Sequence, residues 1–375
     1  MKTIILKENL KQGLNVVEKI TGKNLTLPVL NNVLLITEKN FLRLCTTDLE
    51  MGISWWTLIK TEKEGKISIP AKLLSSFIGL LPDEKMVLEV KNKTLFIECK
   101  KNKTKIKGQD AEEFPIIPKI EEKEFIEVDG YKFCQGLSQI IEIISSSQVR
   151  PEISGVYLLF QKNLIKMVGT DSFRLAEKTL SLKNNNIKGD YSLIVPQKTI
   201  RELINILGER KEKLKIFFSP NQIMFELVMP GVSHPQVQII SRLIEGEYPD
   251  YQEIIPKKYE TQIILDKKEF LNQIKTASLF SGKINEVKFE VDPKQGKIEI
   301  FTQNPEIGEN KSYLLGKTEG QPIEVSFNHK FISDGLSSIQ SSEVIFGLNK
   351  EGGPAVLKPV GDESYIYVVM PVKAD

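Results

Sequence analysis

The segment Val168–Lys178, VGTDSFRLAEK, holds a carboxylate, a hydroxyl and a guanidinium in Asp171, Ser172 and Arg174, flanked by apolar residues. Such a set could transfer an acyl group if a base lay within hydrogen-bond reach of the serine. The chain has two histidines, His234 and His329, and neither stands in a motif. A metal-dependent nuclease could instead use Asp48 and Glu50 of TTDLEM, expected to alternate onto one face of a strand. The matching positions elsewhere hold Asp171 with Phe173, and Asn304, so the pair does not recur. No glycine-rich phosphate loop is present. Without a complete set the expectation is no catalytic residue, no metal and no cofactor. Asp48 reads better as a carboxylate that ends a strand and accepts from amides of the following turn. Asp171 can do the same or serve a site.

The bulk numbers narrow the classes. A chain of 375 residues predicts two or three domains. Hydrophobic content of 41% and charged content of 27% describe a globular protein, and no apolar run reaches membrane length. Lys2 and Lys7 interrupt the N-terminus, which does not read as a secretory signal. Cys45, Cys99 and Cys134 are widely spaced and form neither a disulfide framework nor a metal knuckle, so a reducing cytoplasm is expected. The 51 basic and 49 acidic residues give a net charge of +2, which does not announce a nucleic-acid binder. The only arginines are Arg43, Arg150, Arg174, Arg201, Arg210 and Arg242. A surface of lysines suits non-specific phosphate contact better than base reading.

Those residues sit in a repeat. TTDLEM (Thr46–Met51) resembles GTDSFRL (Gly169–Leu175). ISIPAKLLSSFIGLL (Ile67–Leu81) resembles LIVPQKTIRELINIL (Leu193–Leu207) and VSFNHKFISDGLSSI (Val325–Ile339). EEFP at Pro115 pairs with GEYP at Pro249, and VVMP at Pro371 follows. IILKENLKQGL, IEVDGYKFCQGL and IILDKKEFLNQI place Leu14, Leu137 and Ile274 in register. Four landmarks in one order, at a period of roughly 125 residues, predict three homologous domains. The expected divisions are 1–122, 123–257 and 258–375, at charged stretches after a proline.

Each unit reads as strand, helix, strands, helix, strands. In the first, Leu10, Leu14, Val17 and Ile20 or Thr21 follow helical spacing. NNVLLITE and FLRLCTTD read as strands joined at Lys39–Asn40, and Pro70 opens a second helix. MVLEVKN and TLFIECK alternate about an Asn-Lys turn as a hairpin. The fold class is α+β, a sheet with two helices per unit, three times over.

TLPVLNNVLL, TTDLEM, TDSFRLA, EGEYPDY and a terminal YVVMP make the chain similar to the bacterial DNA polymerase III beta subunit family, the sliding clamps, from Met1 to about Val372. The resemblance implies three clamp domains per chain and a head-to-tail homodimer closed into a pseudo-sixfold ring around duplex DNA. It implies no catalysis, a tethered replicative polymerase, and a clamp loader and other clamp-binding proteins as partners. It also implies a pocket for short partner peptides at Ile153, Thr170, Ser172, Phe173, Arg174, Leu175, Pro249, Ile254, Phe331, Val368, Met370 and Pro371. Most of these are apolar, as a groove for Leu and Phe anchors requires. Arg174 is expected to brace the wall or to meet a partner carboxylate.

Lys72, Lys198 and Lys330 each stand two residues after a helix-opening Pro or Asn, and with Lys23, Arg150 and Arg201 form the expected DNA-facing set. For the dimer, the resemblance implies that KTKIKGQ (Lys103–Gln109) meets Leu279 and Phe280 of a second copy, with Lys105 at the contact. Ile106 is the only large apolar residue in that stretch and is the expected anchor. An interface leaning on Lys103, Lys105 and Lys107 would be salt-sensitive. Departures from the family pattern fall at Glu253, Pro151-Glu152, Val372, Asn24 and the tail Lys373-Ala374-Asp375. The competing readings are an adaptor scaffold of the same fold that does not serve replication, and the nuclease.

Overall fold

The computed structural model describes residues 1–22, 26–120, 125–145, 149–182, 189–350 and 352–372. The chain divides into two compact units, Met1–Tyr131 with Arg201–Leu243, and Lys132–Ile200 with Ile244–Asp375. The central repeat contributes to both units because its strands extend two different sheets.

In the first unit an eight-stranded sheet joins two repeats. Four strands of the central repeat, ending with Pro235–Arg242, continue into Met51–Leu58, Phe41–Thr47, Asn32–Glu38 and Lys66–Pro70. At the seam the strands run antiparallel, with Val237 opposite Trp55 and Ser241 opposite Met51. A five-stranded sheet completes this unit and has Asn102–Lys107 at one edge.

The second unit repeats the plan. Its nine-stranded sheet passes from Arg174–Ser181 to Tyr365–Val369, with Arg174 opposite Val369 and Lys178 opposite Tyr365. A four-stranded sheet has Gly308–Leu315 at its edge.

The described helices of eight or more residues number two per repeat: α1 (Lys7–Val17), α2 (Ala71–Leu80), α3 (Gly130–Ser138), α4 (Gln197–Leu207), α5 (Lys267–Ser278) and α6 (His329–Ser338). Their starts are local in origin. Pro70 stands at the cap of α2, where its missing N–H costs nothing. Asp266 accepts from the Glu269 amide at 2.8 Å to cap α5, and Asn328 accepts from the Lys330 amide at 2.9 Å to cap α6. The predicted apolar stripe of α1 is buried, at Leu10, Leu14 and Val17, followed by Ile20. α1 lies so close to its sheet that a Cβ at Gly13 would sit 2.4 Å from a Leu44 methyl and 2.7 Å from Trp55. That close approach explains the glycine of the QGL motif. The expected hairpin is present as Lys85–Lys91 and Thr94–Cys99, with Asn92 and Lys93 at φ 48° and 56°.

Candidate partner site at the seam of the nine-stranded sheet

Thr170, the last residue of one strand, and Arg174, the first of the next, bracket a tight turn. The Thr170 hydroxyl donates to the Arg174 carbonyl at 2.7 Å and accepts from the Ser172 amide at 3.1 Å. One Asp171 carboxylate oxygen accepts from the amides of Phe173 and Arg174, both at 3.0 Å. The other oxygen accepts from Arg174 Nε at 2.9 Å. Ser172 takes φ 78°, which points the following side chain outward. These carboxylate and hydroxyl groups are committed to holding a turn, and none faces a base.

The turn presents Phe173, which is 62% exposed, with its ring 6.4 Å from that of Phe331 and nearly parallel to it. Arg174 lies over Phe331, its guanidinium carbon 4.5 Å from the ring centroid, and also binds Asp334 of α6. Its side chain is only 11% exposed, so it braces the wall against α6. The Met370 amide donates to the Phe173 carbonyl at 2.8 Å and thereby fixes the C-terminal residues beside the turn. Beneath lies a buried cluster of Val168, Leu175, Tyr251, Val356 and Val368, onto which Tyr157, Tyr248 and Ile255 pack. The Tyr251 hydroxyl donates to Glu177 at 2.5 Å, and Lys166 holds the same carboxylate at 3.2 Å. Burial and the Glu177 carboxylate together push the Tyr251 phenol well above its ordinary pKa, so it stays a donor.

The structure therefore gathers Thr170, Ser172, Phe173, Arg174, Leu175, Phe331, Val368 and Met370, and burial ranks the expected pocket residues. Leu175 and Val368 belong to the buried cluster, and Ile153 is buried as well. Thr170, Pro249, Phe331, Met370 and Pro371 are half-buried. Ser172, Phe173 and Ile254 are exposed. Sequence reasoning missed Asp334, Tyr157, Tyr248, Tyr251 and Val356. The two tyrosines of EGEYPDY were visible, but nothing in the spacing tied them to Leu175.

Arg150, expected among the DNA-facing cations, stays 48% exposed and also borders this wall, because its guanidinium bonds Ser172 at 3.1 Å and Glu152 at 3.0 Å. The nuclease pair is corrected. Asp48 and Glu50 lie in a turn, not along a strand, and Asp48 accepts from the amides of Glu50 and Met51 at 3.1 and 2.7 Å.

Lys72, Lys198 and Lys330 occupy the second position of α2, α4 and α6 and are all exposed, as is Arg201. Lys23 lies outside the described residues.

Ile106 does not stand free to anchor a second copy. It is 5% exposed, because the pleat turns Thr104 and Ile106 into their own domain and Lys103, Lys105 and Lys107 outward. Leu279 is 69% exposed and Phe280 half-buried. Two exposed apolar sets were missed: Leu73 and Leu80 on α2, with Leu80 at 87% and Phe77 half-buried on the same helical face, and Ile307, Tyr313 and Leu315 on and beside the edge strand Gly308–Leu315, with Ile284 exposed in the loop after α5.

Comparison with known proteins agrees along the whole chain. The N-terminal, central and C-terminal domains of the DNA polymerase III beta subunit match residues 1–118, 127–250 and 252–373. The beta sliding clamp of Bacillus subtilis is 28% identical over 385 residues, covering 100% of both chains. That of Synechococcus elongatus is 25% identical, covering 100% of this chain and 99% of its own. The crystal structure of the Bacillus subtilis DNA polymerase sliding clamp superposes with a TM-score of 0.93 at 27% identity, over 100% of each chain. A Pseudomonas aeruginosa sliding clamp bound to griselimycin shares the fold at a TM-score of 0.92 and 24% identity, again over 100% of each chain. Three repeats, each matched by its own domain of one family, establish that this chain belongs to the DNA polymerase III beta subunit family, the beta sliding clamps.

Proposed function

We propose that two copies of this chain close head to tail around duplex DNA and tether the replicative polymerase, with no catalytic step of their own. The observation that carries this reading is the threefold repeat with an unpaired edge strand in its first and last sheets, Asn102–Lys107 and Gly308–Leu315. A heterologous contact between two such edges generates a ring when the rotation closes. Six domains of two helices each then supply twelve helices, and the exposed lysines at the second helical position form a cationic lining without base-reading groups.

The turn of Phe173 and Arg174 supplies the docking wall for short peptides of the polymerase, the clamp loader and other partners, with Phe173, Ile254 and Met370 as its accessible apolar groups and Arg150 as its polar edge. The protein works in the cytoplasm, and domain divisions fall at 122/123 and 257/258. No helix among the described residues is long and apolar enough to cross a membrane.

Loading onto nicked circular plasmid, followed by linearisation, tests the reading. A topological ring stays on the circle and is lost over the ends of the linear form. Equal retention on both forms favours the adaptor scaffold.

A further inference from the structure

The turn that builds the docking wall occurs a second time, at the seam of the eight-stranded sheet. The Thr47 hydroxyl donates to the Met51 carbonyl at 2.9 Å and accepts from the Leu49 amide at 3.0 Å. Asp48 accepts from the Met51 amide, as Asp171 does from that of Arg174. Leu49 takes φ 78°, the value of Ser172. The Arg242 amide donates to the Glu50 carbonyl at 2.9 Å, the counterpart of Met370 to Phe173. Even the linker repeats: Ile116-Ile117-Pro118-Lys119 matches Ile254-Ile255-Pro256-Lys257.

This seam is not filled. A cavity of about 200 Å³ lies between the turn and the linker, lined by Leu49, Met51, Ile116, Ile240 and Arg242. It shares Ile117, Pro118 and Ile240 with a cavity of about 320 Å³ that reaches Arg43, Trp56, Lys119 and His234. Ile116 is 92% exposed at the mouth.

The linker segments do not separate the two seams by charge: Glu245–Glu253 carries four acids, and the matching Gln109–Pro115 carries Asp110, Glu112 and Glu113, of which Asp110 pairs with Lys93 and Glu112 with Lys66. Within the first cleft itself Arg43, Lys119 and Arg242 stand against Glu38 and Glu50. Lys119 and Arg242 make no side-chain ion pair among the described residues. Arg43 is already engaged: it lies over Trp56 at 4.9 Å, bonds Ser54 at 3.1 Å and pairs with Glu38 at 3.6 Å. Glu38 also accepts from Trp56 Nε1 at 3.1 Å, so of the lining acids only Glu50 is left to offset Lys119 and Arg242.

We propose that this cleft is a second peptide-docking site, which takes an extended acidic segment with an apolar side chain between Leu49 and Ile240 and its carboxylates toward Lys119 and Arg242. Peptide docking by such a turn rests on the reading of the Phe173 wall, and charge complementarity decides the occupant.

The probe is a labelled hexapeptide of five aspartates and one leucine, with a twin carrying lysine in place of aspartate. Both are titrated against the full-length protein, Phe173→Ala, and a double variant Lys119→Glu/Arg242→Glu whose changes lie on the surface. The acidic peptide is expected to bind wild type and Phe173→Ala alike, and to change tryptophan fluorescence through Trp56. The double variant is expected to bind it about tenfold more weakly, and the lysine twin not to bind the cationic cleft. Absence of binding, or binding lost in Phe173→Ala and untouched by the double variant, overturns the proposal. A polymerase-derived peptide tested on the same proteins separates the two sites. If it fails on wild type while the acidic peptide binds as expected, the Phe173 wall falls and the second cleft stands.

Discussion

Phe173 is a large aromatic held outside the core by a turn that uses every polar group it has, so its exposure is built in rather than incidental. A short peptide gains roughly 1.5–3 kcal/mol per buried Leu or Phe and needs about −8 kcal/mol for micromolar binding, so loss of one anchor surface is felt. Phe173→Ala and Met370→Ala should each weaken a labelled polymerase C-terminal peptide by about 1–3 kcal/mol with an unchanged melting temperature. Normal binding by both folded variants would return the turn to mere packing. Arg174 belongs to the scaffold, since its planar fork is divided between Asp171 and Asp334 over Phe331, a geometry lysine cannot reproduce. His329 gives a residue-scale prediction of another kind. It is buried at the start of α6 with Nε2 3.0 Å from the Ser281 hydroxyl. Burial, and secondarily the charge of Lys330, hold its pKa below 6.5. The unfolded chain takes up a proton as pH falls through 6.5 while the folded chain resists it, so stability drops below that pH and is restored above it. Melting curves between pH 5 and 8 should show a steeper acid loss for wild type than for His329→Gln. Parallel slopes would remove His329 from the account.

At the scale of elements, the helix starts carry the clearest expectation. Lys72, Lys198 and Lys330 share one helical position, and sliding needs mobile cations without sequence preference. Replacing all three with glutamate should cut loading or processivity while circular dichroism and melting stay normal, and full processivity in the triple variant would refute the assignment. Much at this scale was legible in the sequence. The apolar stripe of Leu10, Leu14 and Val17, the prolines and asparagine that open helices, and the two Asp turns all follow from local rules. What escaped depends on tertiary approach. Arg150 looked like one more surface cation until the chain brought Ser172 beside it. Ile106 was read as outward because it was the only apolar residue of its strand, yet the alternation Lys-Thr-Lys-Ile-Lys already states the opposite once one face is assigned to the core. The exposed face of α2 escaped because Leu73, Phe77 and Leu80 keep helical spacing whether they point into a core or away from it.

For the molecule as a pair of copies, the burial of Ile106 removes the premise of a mainly ionic closure. The end of the edge strand Asn102–Lys107 is tied by the Ser68–Gln109 bridge to the strand that leads into α2, the helix that exposes Leu73 and Leu80. On the other side, Leu279 ends α5, and that helix packs on the edge strand carrying Tyr313 and Leu315. The exposed Leu73 and Leu80 of α2, and Leu279, Tyr313 and Leu315 at the other end of the chain, have more to gain from burial against a second copy than the lysines do. Exposed ion pairs add about 0–1 kcal/mol each and are screened by salt. The dimer should therefore change little between low and high ionic strength, while Leu80→Glu, which forces a charge into the apolar contact, should weaken it by at least about 2 kcal/mol, or roughly 30-fold. Sedimentation equilibrium of wild type and variant at two salt concentrations measures both quantities. A dimer that dissociates readily in salt and tolerates Leu80→Glu would place closure on Lys103, Lys105 and Lys107 instead of on α2.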